Sequence, residues 1–192
     1  MLIELRLHAR AGQGMVTAAE IIAQAASMEG KYSQAFPFFG SEKRGPPVTS
    51  YVRIDDKPIH LYEEIFEPDI VIVAEPSVLH EVDVCKGLKS TGFVIVNSDK
   101  TPEQLKLNAK RVYVINGTGI ALKHLGLNIT NTVMLGSFVK VSRLVKLDSV
   151  KNALVEKFTG KFPQKVIDAN LACIQESYDI TKEVKQVANT AR

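Results

Sequence analysis

Apolar and polar residues alternate from Leu2 to His8, the two-residue period of a strand with one buried face. The period then changes. From Gly14 to Glu29 the residues Val16, Ala19, Ile22, Ala23 and Ala26 recur at helical spacing, and Gly30 supplies a stop. Val48 to Ile54 alternates again. With the acidic turn Asp55-Asp56-Lys57-Pro58 and the run Ile59 to Tyr62 behind it, this stretch predicts a β-hairpin. Ile70 to Ala74, Phe93 to Asn97 and Val112 to Ile115 are short continuous apolar runs, as expected of strands covered on both faces. Helices fit between them near Pro76 to Leu88 and Pro102 to Leu107. The last third reads as helices over Thr118 to Leu125, Asn131 to Arg143, Leu147 to Phe158 and Pro163 to Val184, with Asp148 and Asn131 as N-caps and Gly126 and Gly160 as terminators.

Strand, Gly-containing turn, helix, then buried strands alternating with helices is the order of an α/β protein. The expected fold is one open, mostly parallel Rossmann-like sheet with flanking helices, an edge β-hairpin and a helical C-terminal tail. No repeat or linker divides it, so residues 1–185 are expected to form a single domain and 186–192 a frayed polar tail.

Composition narrows the function classes. A 192-residue chain with 45% hydrophobic and 23% charged residues is ordinary globular protein with room for a core. A net charge of +3, without basic runs interleaved with aromatics, argues against nucleic acid. The start carries no signal-peptide architecture and no apolar run nears the ~20 residues that span a bilayer, so a cytoplasmic location is expected. Cys85 and Cys173 stand alone, far apart, which suits a reducing compartment and gives no disulfide framework. Without a Cys-x-x-Cys the chain cannot by itself hold an iron–sulfur cluster through four thiolates. His8, His60, His80 and His124 lack ligand spacing and read as surface or strand-end histidines, so no metal site is expected.

Three places carry candidate chemistry. Residues 38 to 48, with charges between Gly40 and Gly45 and the pair Pro46-Pro47 behind, read as a shaped loop. It presents Ser41, Glu42, Lys43 and Arg44, either as a binding element or as a solvated connection. Arg44 could grip a carboxylate or phosphate in bidentate fashion, or simply pair with Glu42. The aromatics Tyr32, Phe36, Phe38 and Phe39 before it are dense enough to be core or a partner surface.

The second place is Arg10-Ala11-Gly12-Gln13-Gly14, between the first strand and first helix. It is either an anion cradle of backbone N–H groups with Arg10 as clamp, or a tight turn for close helix–sheet packing. The dinucleotide fingerprint is absent, because Ala9 and Ala11 occupy glycine positions and Glu29 falls inside the helix rather than after a second strand. The third place is the helix start at Asn131 and Thr132, an N-cap that could also face a ligand. No Ser/His/Asp or Cys/His set appears at recognisable spacing, so a complete catalytic set within this chain is not expected.

In order along the chain stand Arg10-Ala-Gly-Gln-Gly14, Phe39-Gly-Ser-Glu-Lys-Arg-Gly-Pro-Pro-Val48 leading into Tyr51-Val-Arg-Ile54, Pro68-Asp69 and Asn131-Thr-Val-Met-Leu-Gly136. Together, over roughly residues 1 to 160, they resemble the gamma subunit of 2-oxoacid:ferredoxin oxidoreductases, most closely the pyruvate type. Ala9 and Ala11 replace two glycines common in that family's first turn, and Lys43 stands where Arg is common.

The resemblance implies one subunit of a larger enzyme that decarboxylates a 2-oxoacid on thiamine diphosphate, passes electrons through iron–sulfur clusters to ferredoxin and forms an acyl-coenzyme A. It implies alpha, beta and delta-type partner subunits that carry thiamine diphosphate and the clusters, with coenzyme A as co-substrate. Arg10, Gly12, Gln13, Gly14, Asn131 and Thr132 would then border the coenzyme A side. Phe39, Ser41, Glu42, Lys43 and Arg44 would form a subunit junction or position an anion. The rival reading is a stand-alone nucleotide-binding enzyme, or a gamma subunit serving another 2-oxoacid. A scaffold subunit touching no ligand is a third.

Overall fold

In the first strand, β1 (Ile3–Arg10), Leu5, Leu7 and Ala9 enter one core, and by the alternation of a strand Glu4, Arg6, His8 and Arg10 face the other way. The whole sheet is sorted in this manner. The computed structural model describes residues 1–39 and 47–181. Its strands are completed by β2 (Tyr32–Phe39), β3 (Pro47–Asp55), β4 (Ile70–Val73), β5 (Phe93–Asn97) and β6 (Val112–Ile115), in the order β2-β3-β1-β4-β5-β6. β1, β4, β5 and β6 run parallel, and β3 lies antiparallel to both β1 and β2. The mostly parallel α/β reading therefore holds.

One face is closed by helices α1 (Met15–Met28), α3 (Gly117–Leu125), α4 (Asn131–Ser142), α5 (Leu147–Phe158) and α6 (Gln164–Ile180). It takes the bulky alternate residues Ile70, Ile72, Phe93 and Ile95. α4 and α6 approach at Gly136, where a Cβ would sit 2.0 Å from Ser177 Oγ and 2.1 Å from the Ile174 carbonyl. Only glycine permits that crossing. The opposite face takes the smaller Val71, Val73, Val94 and Val96 under a thin cover that includes Val78, Val84 and Cys85. No described helix is long and apolar enough to cross a membrane.

Several local expectations are corrected. The hairpin is β2–β3, with Phe39 opposite Val48, and Ile59 to Tyr62 form no strand. Side chains take the carbonyls of that segment instead: Gln34 Nε2 donates to the Ile59 carbonyl, and Arg53 donates to those of Leu61 and Glu63. The supposed loop 38 to 48 begins and ends in strand, since β2 runs through Phe39 and β3 starts at Pro47. Pro37 is tolerated because β2 is an edge strand. The stretch expected as a helix over Pro76 to Leu88 is a 3-10 helix at Pro76–His80 followed by turns, and α2 (Pro102–Leu105) is a single turn.

Cap positions also shift. α4 is capped at Thr130 and α5 at Lys146, so Asn131 and Asp148 lie inside the first turns. Gly126 and Gly160 do adopt the left-handed conformation at helix ends, with φ of 68° and 77°. Ser41, Glu42, Lys43 and Arg44, and the tail 186–192, lie outside the described residues, as does the side chain of Phe39.

Candidate functional site at the sheet switch point

β1 is flanked by β3 on one side and by β4 on the other, so the chain leaves the middle of the sheet in both directions. Crevices at such reversals, beyond the carboxyl ends of parallel strands, are where open α/β sheets place ligands. The turn from Arg10 to Gly14 occupies this point between β1 and α1.

Its conformation follows from its residues. Gly12 and Gly14 adopt φ of 86° and 72°, a region that side chains disfavour. Gln13 closes the turn on itself, its N–H donating to the Arg10 carbonyl at 3.2 Å and its Oε1 accepting from the Arg10 N–H at 2.8 Å. The other end of the same amide donates to Glu75 Oε2 at 2.8 Å. Arg10 Nε donates to Ser77 Oγ at 2.9 Å, and the guanidinium pairs with Glu81. Glu75 also accepts from the Ser77 N–H at 3.1 Å.

Thus the turn after β1 is latched to the segment after β4. The Glu81 carboxylate raises the affinity of Arg10 for its proton, with burial opposing. Burial works against ionised Glu75, but the bonds from Gln13 and Ser77 prevail and hold its carboxyl below the usual range. α1 has no acidic residue in its first turn and no capping side chain, so its positive end faces this crevice without a local carboxylate of its own.

Asn131 reaches the same turn from behind. Its Nδ2 donates to the Gly14 carbonyl at 3.2 Å, and its Oδ1 accepts from the Thr132 N–H at 2.9 Å. A Cβ on Gly14 would lie 2.5 Å from Asn131 Nδ2, so the two positions are matched. Thr132 is fully buried and donates to Asn170 Oδ1 at 2.9 Å, which ties α4 to α6. Thr130 Oγ1 and Asn97 Nδ2 both donate to the Ala74 carbonyl at the end of β4, at 3.0 and 2.9 Å. The structure therefore unites Arg10, Gly12, Gln13, Gly14 and Asn131, and sets Thr132 one layer deeper.

Glu75, Ser77 and Glu81 belong to no motif along the chain. Their one local signal is that they follow an apolar run, and only the strand order brings them to β1. At the same edge a recess of about 420 Å³ opens between Pro76, Asn97, Asp99, Asn116, Thr118 and Leu122. Of the exposed-or-core aromatics, Tyr32 and Phe38 are exposed, and Phe36 is half-buried with its ring 5.1 Å from that of Tyr51.

His8 is buried on the face away from the helices, 3.5 Å from Thr49 Oγ1 through Nδ1, while its Nε2 has no hydrogen-bond partner. Burial, and then the Arg6 charge, push its imidazole down to about 3, so it is neutral. Cys85 and Cys173 belong to cores on opposite faces of the sheet, and burial pushes both thiols up to about 11. They share no site and do not fit a four-thiolate cluster.

Fold and site define an open α/β protein whose polar turn lies latched at the sheet switch point. The model of the pyruvate ferredoxin/flavodoxin oxidoreductase family matches residues 4–180, and the chain belongs to that family. It is 49% identical over 185 residues to the pyruvate/ketoisovalerate oxidoreductases common subunit gamma of Pyrococcus furiosus, covering 94% of this chain and 98% of that one. It is 50% identical over 164 residues to the pyruvate synthase subunit PorC of Methanocaldococcus jannaschii, covering 85% and 90%. The crystal structure of pyruvate oxidoreductase subunit PORC from Thermotoga maritima superposes with a TM-score of 0.81 at 34% identity, over 94% and 97% of the two chains.

Proposed function

We propose that this chain is the gamma subunit of a pyruvate:ferredoxin oxidoreductase, which converts pyruvate, coenzyme A and oxidised ferredoxin to acetyl-coenzyme A, CO2 and reduced ferredoxin. The observation that carries this reading is the near full-length, half-identical match to relatives named as gamma and PorC subunits. The chain forms one gamma-type domain over residues 1–185 and works in the cytoplasm with alpha, beta and delta-type subunits. Thiamine diphosphate and the iron–sulfur clusters reside in those partners and supply the decarboxylation and electron transfer. This subunit is inactive alone.

Its own residues bind and orient. Arg10, Gly12, Gln13 and Gly14 edge the crevice where the phosphate-bearing co-substrate docks, an assignment supported by the glycine-bearing turn at the start of α1, whose first turn has no acidic residue and no side-chain cap. Glu81 and Glu75 hold Arg10 and Gln13 in position until an anion competes for them. Asn131 and Thr132 position the turn from behind. Phe39, Ser41, Glu42, Lys43 and Arg44 form the subunit junction or position an anionic group.

Purification of the native protein tests the reading: it should elute with large partners carrying thiamine and iron, and elution alone would refute it. In the assembled enzyme, Arg10→Ala should raise the KM for coenzyme A about tenfold, the loss of one charge-assisted hydrogen bond worth about 1.4 kcal/mol, with kcat largely kept. An unchanged KM would remove Arg10 from the site edge. The Pyrococcus relative is named as common to pyruvate and ketoisovalerate oxidoreductases. This favours a second reading, in which the same gamma subunit serves another 2-oxoacid and leaves its choice to the partners. Exchange of the thiamine-carrying subunits should then change the oxoacid preference.

A further inference from the structure

Residues 59–67 cross the face of β2 and β3 that the helices leave bare, without secondary structure of their own. Such a segment would ordinarily be mobile, yet this one is tied down along its length. Arg53, 1% exposed, donates to the Glu63 carbonyl at 2.8 Å and the Leu61 carbonyl at 3.4 Å, bonds Glu4 at 2.9 Å, and lies 5.4 Å from the centre of the Phe36 ring. Tyr51 donates its hydroxyl to Glu64 at 3.0 Å, Gln34 donates to the Ile59 carbonyl at 3.2 Å, and Ile65 is buried. Against Gly87 the segment packs so closely that a Cβ there would meet the Phe66 carbonyl at 2.0 Å.

The side chains this strap presents outward are the wrong kind for a solvated surface. Tyr62 is 88% exposed, Phe66 68% and Leu61 38%, while the charged neighbours Glu63 and Glu67 are exposed beside them. Tyr32, also exposed, lies on the same face at the same end of the sheet. A pre-ordered backbone offering aromatic anchors ringed by charge is the anatomy of a protein interface, because the ordering cost is met before association. The strap sits over the Glu4–Arg53 pair, six residues or about 20 Å along β1 from Arg10, so this surface is separate from the switch-point crevice.

We propose that residues 59–67 are a docking strap for a neighbouring subunit of the same oxidoreductase. Tyr62 and Phe66 are its anchors, and the face they enter is apolar with a basic rim that meets Glu63 and Glu67. The identity of the occupant rests on the gamma-subunit reading above; the separate, pre-ordered aromatic surface does not.

The experiment uses the complete complex, purified through a tag on a thiamine-carrying subunit, with wild type beside Tyr62→Asp/Phe66→Asp and Glu63→Lys/Glu67→Lys. The aromatic pair should lose at least tenfold of the gamma subunit from the complex, while the thermal midpoint of the isolated chain stays unchanged. The charge-reversed pair should lose less, and its loss should shrink as salt rises. Gamma retained at wild-type stoichiometry by the aromatic variant overturns the proposal. So does a wild-type chain that self-associates through the strap while the variant still enters the complex, because the occupant would then be a second copy. If wild-type gamma itself fails to co-purify, the gamma-subunit reading fails, an outcome distinct from either of these.

Discussion

The two faces of β1 and β3 are built from different physics. On the helical face, Leu5, Leu7, Val52, Ile54, Ile72 and Ile95 meet five helices in a continuous apolar core. On the other face of β1 and β3, Arg6, His8, Tyr51 and Arg53 are buried as well, but beneath turns and a strap rather than helices. Arg6 donates to the Val84 and Lys86 carbonyls, and Arg53 to those of the strap. Apolar packing thus holds the first face, whereas on the second, hydrogen bonds from buried cations hold the cover over β1 and β3, beside the smaller valine cluster of β4 and β5. Apolar contacts are non-directional and tolerate substitution of similar volume. A buried guanidinium fixes particular backbone carbonyls, which shapes irregular segments for binding and leaves a large penalty when it is removed.

The strongest way to break this contrast is to damage each face and follow the same strap. Phe138→Ala, in α4 and fully buried on the helical side, should cost about 4 kcal/mol in urea unfolding. It should leave the hydrogen-exchange protection of residues 59–64, relative to the new global stability, unaltered. Arg53→Ala should cost about 3 kcal/mol and selectively release those amides, because Glu4 and the strap carbonyls lose their buried donor. Equal exchange patterns in the two variants would show that the faces are not distinct.

The pH dependence sharpens the contrast, since a neutral buried imidazole occurs only on the polar face. His8 titrates near 6.5 when unfolded and near 3 when folded, so its contribution is complete above pH 6.5 and is lost as pH falls from there toward 3. Between pH 7 and pH 5 the wild type should lose about 2 kcal/mol more than His8→Gln, read from urea midpoints at both values. Identical slopes would mean that His8 takes up its proton without resistance from the fold.

The smallest effect concerns the switch-point turn, where the two faces meet. Gly12→Ala and Gly14→Ala each force a side chain into the left-handed region at about 1–2 kcal/mol, but only at Gly14 does the new Cβ strike Asn131. Gly14→Ala should therefore be the worse of the two by a few tenths of a kcal/mol, and the excess should vanish in an Asn131→Ala background. A persistent excess would place the clash elsewhere.

Much of the helical face was legible along the chain. The pattern of apolar positions gives the bounds of α5, Leu147 to Phe158, and those of β1, β4, β5, β6 and α1 to within two residues, because strand and helix periods are local signals. The strand β2 is hidden in the sequence because Pro37 speaks against a central strand, whereas an edge strand accepts it. The run Ile59 to Tyr62 looked like a hairpin partner because alternation cannot reveal that Arg53 and Gln34 would claim its carbonyls. Of the site, Arg10, Gly12, Gln13 and Gly14 stood out as a glycine-bearing turn before a helix. Their latch to Glu75, Ser77 and Glu81 did not, since those residues lie more than sixty positions away.

By itself, then, the sequence determined most of the element types, the parallel core and the membership that its ordered motifs announce, all of which depend on residues close together in the chain. Tertiary structure alone decided which strands are neighbours, and with that which carboxylates hold Arg10 and which carbonyls hold Arg53. Hydrogen bonds act over about 3 Å whatever the sequence separation, so the partners of a buried polar group exist only once the sheet order is set.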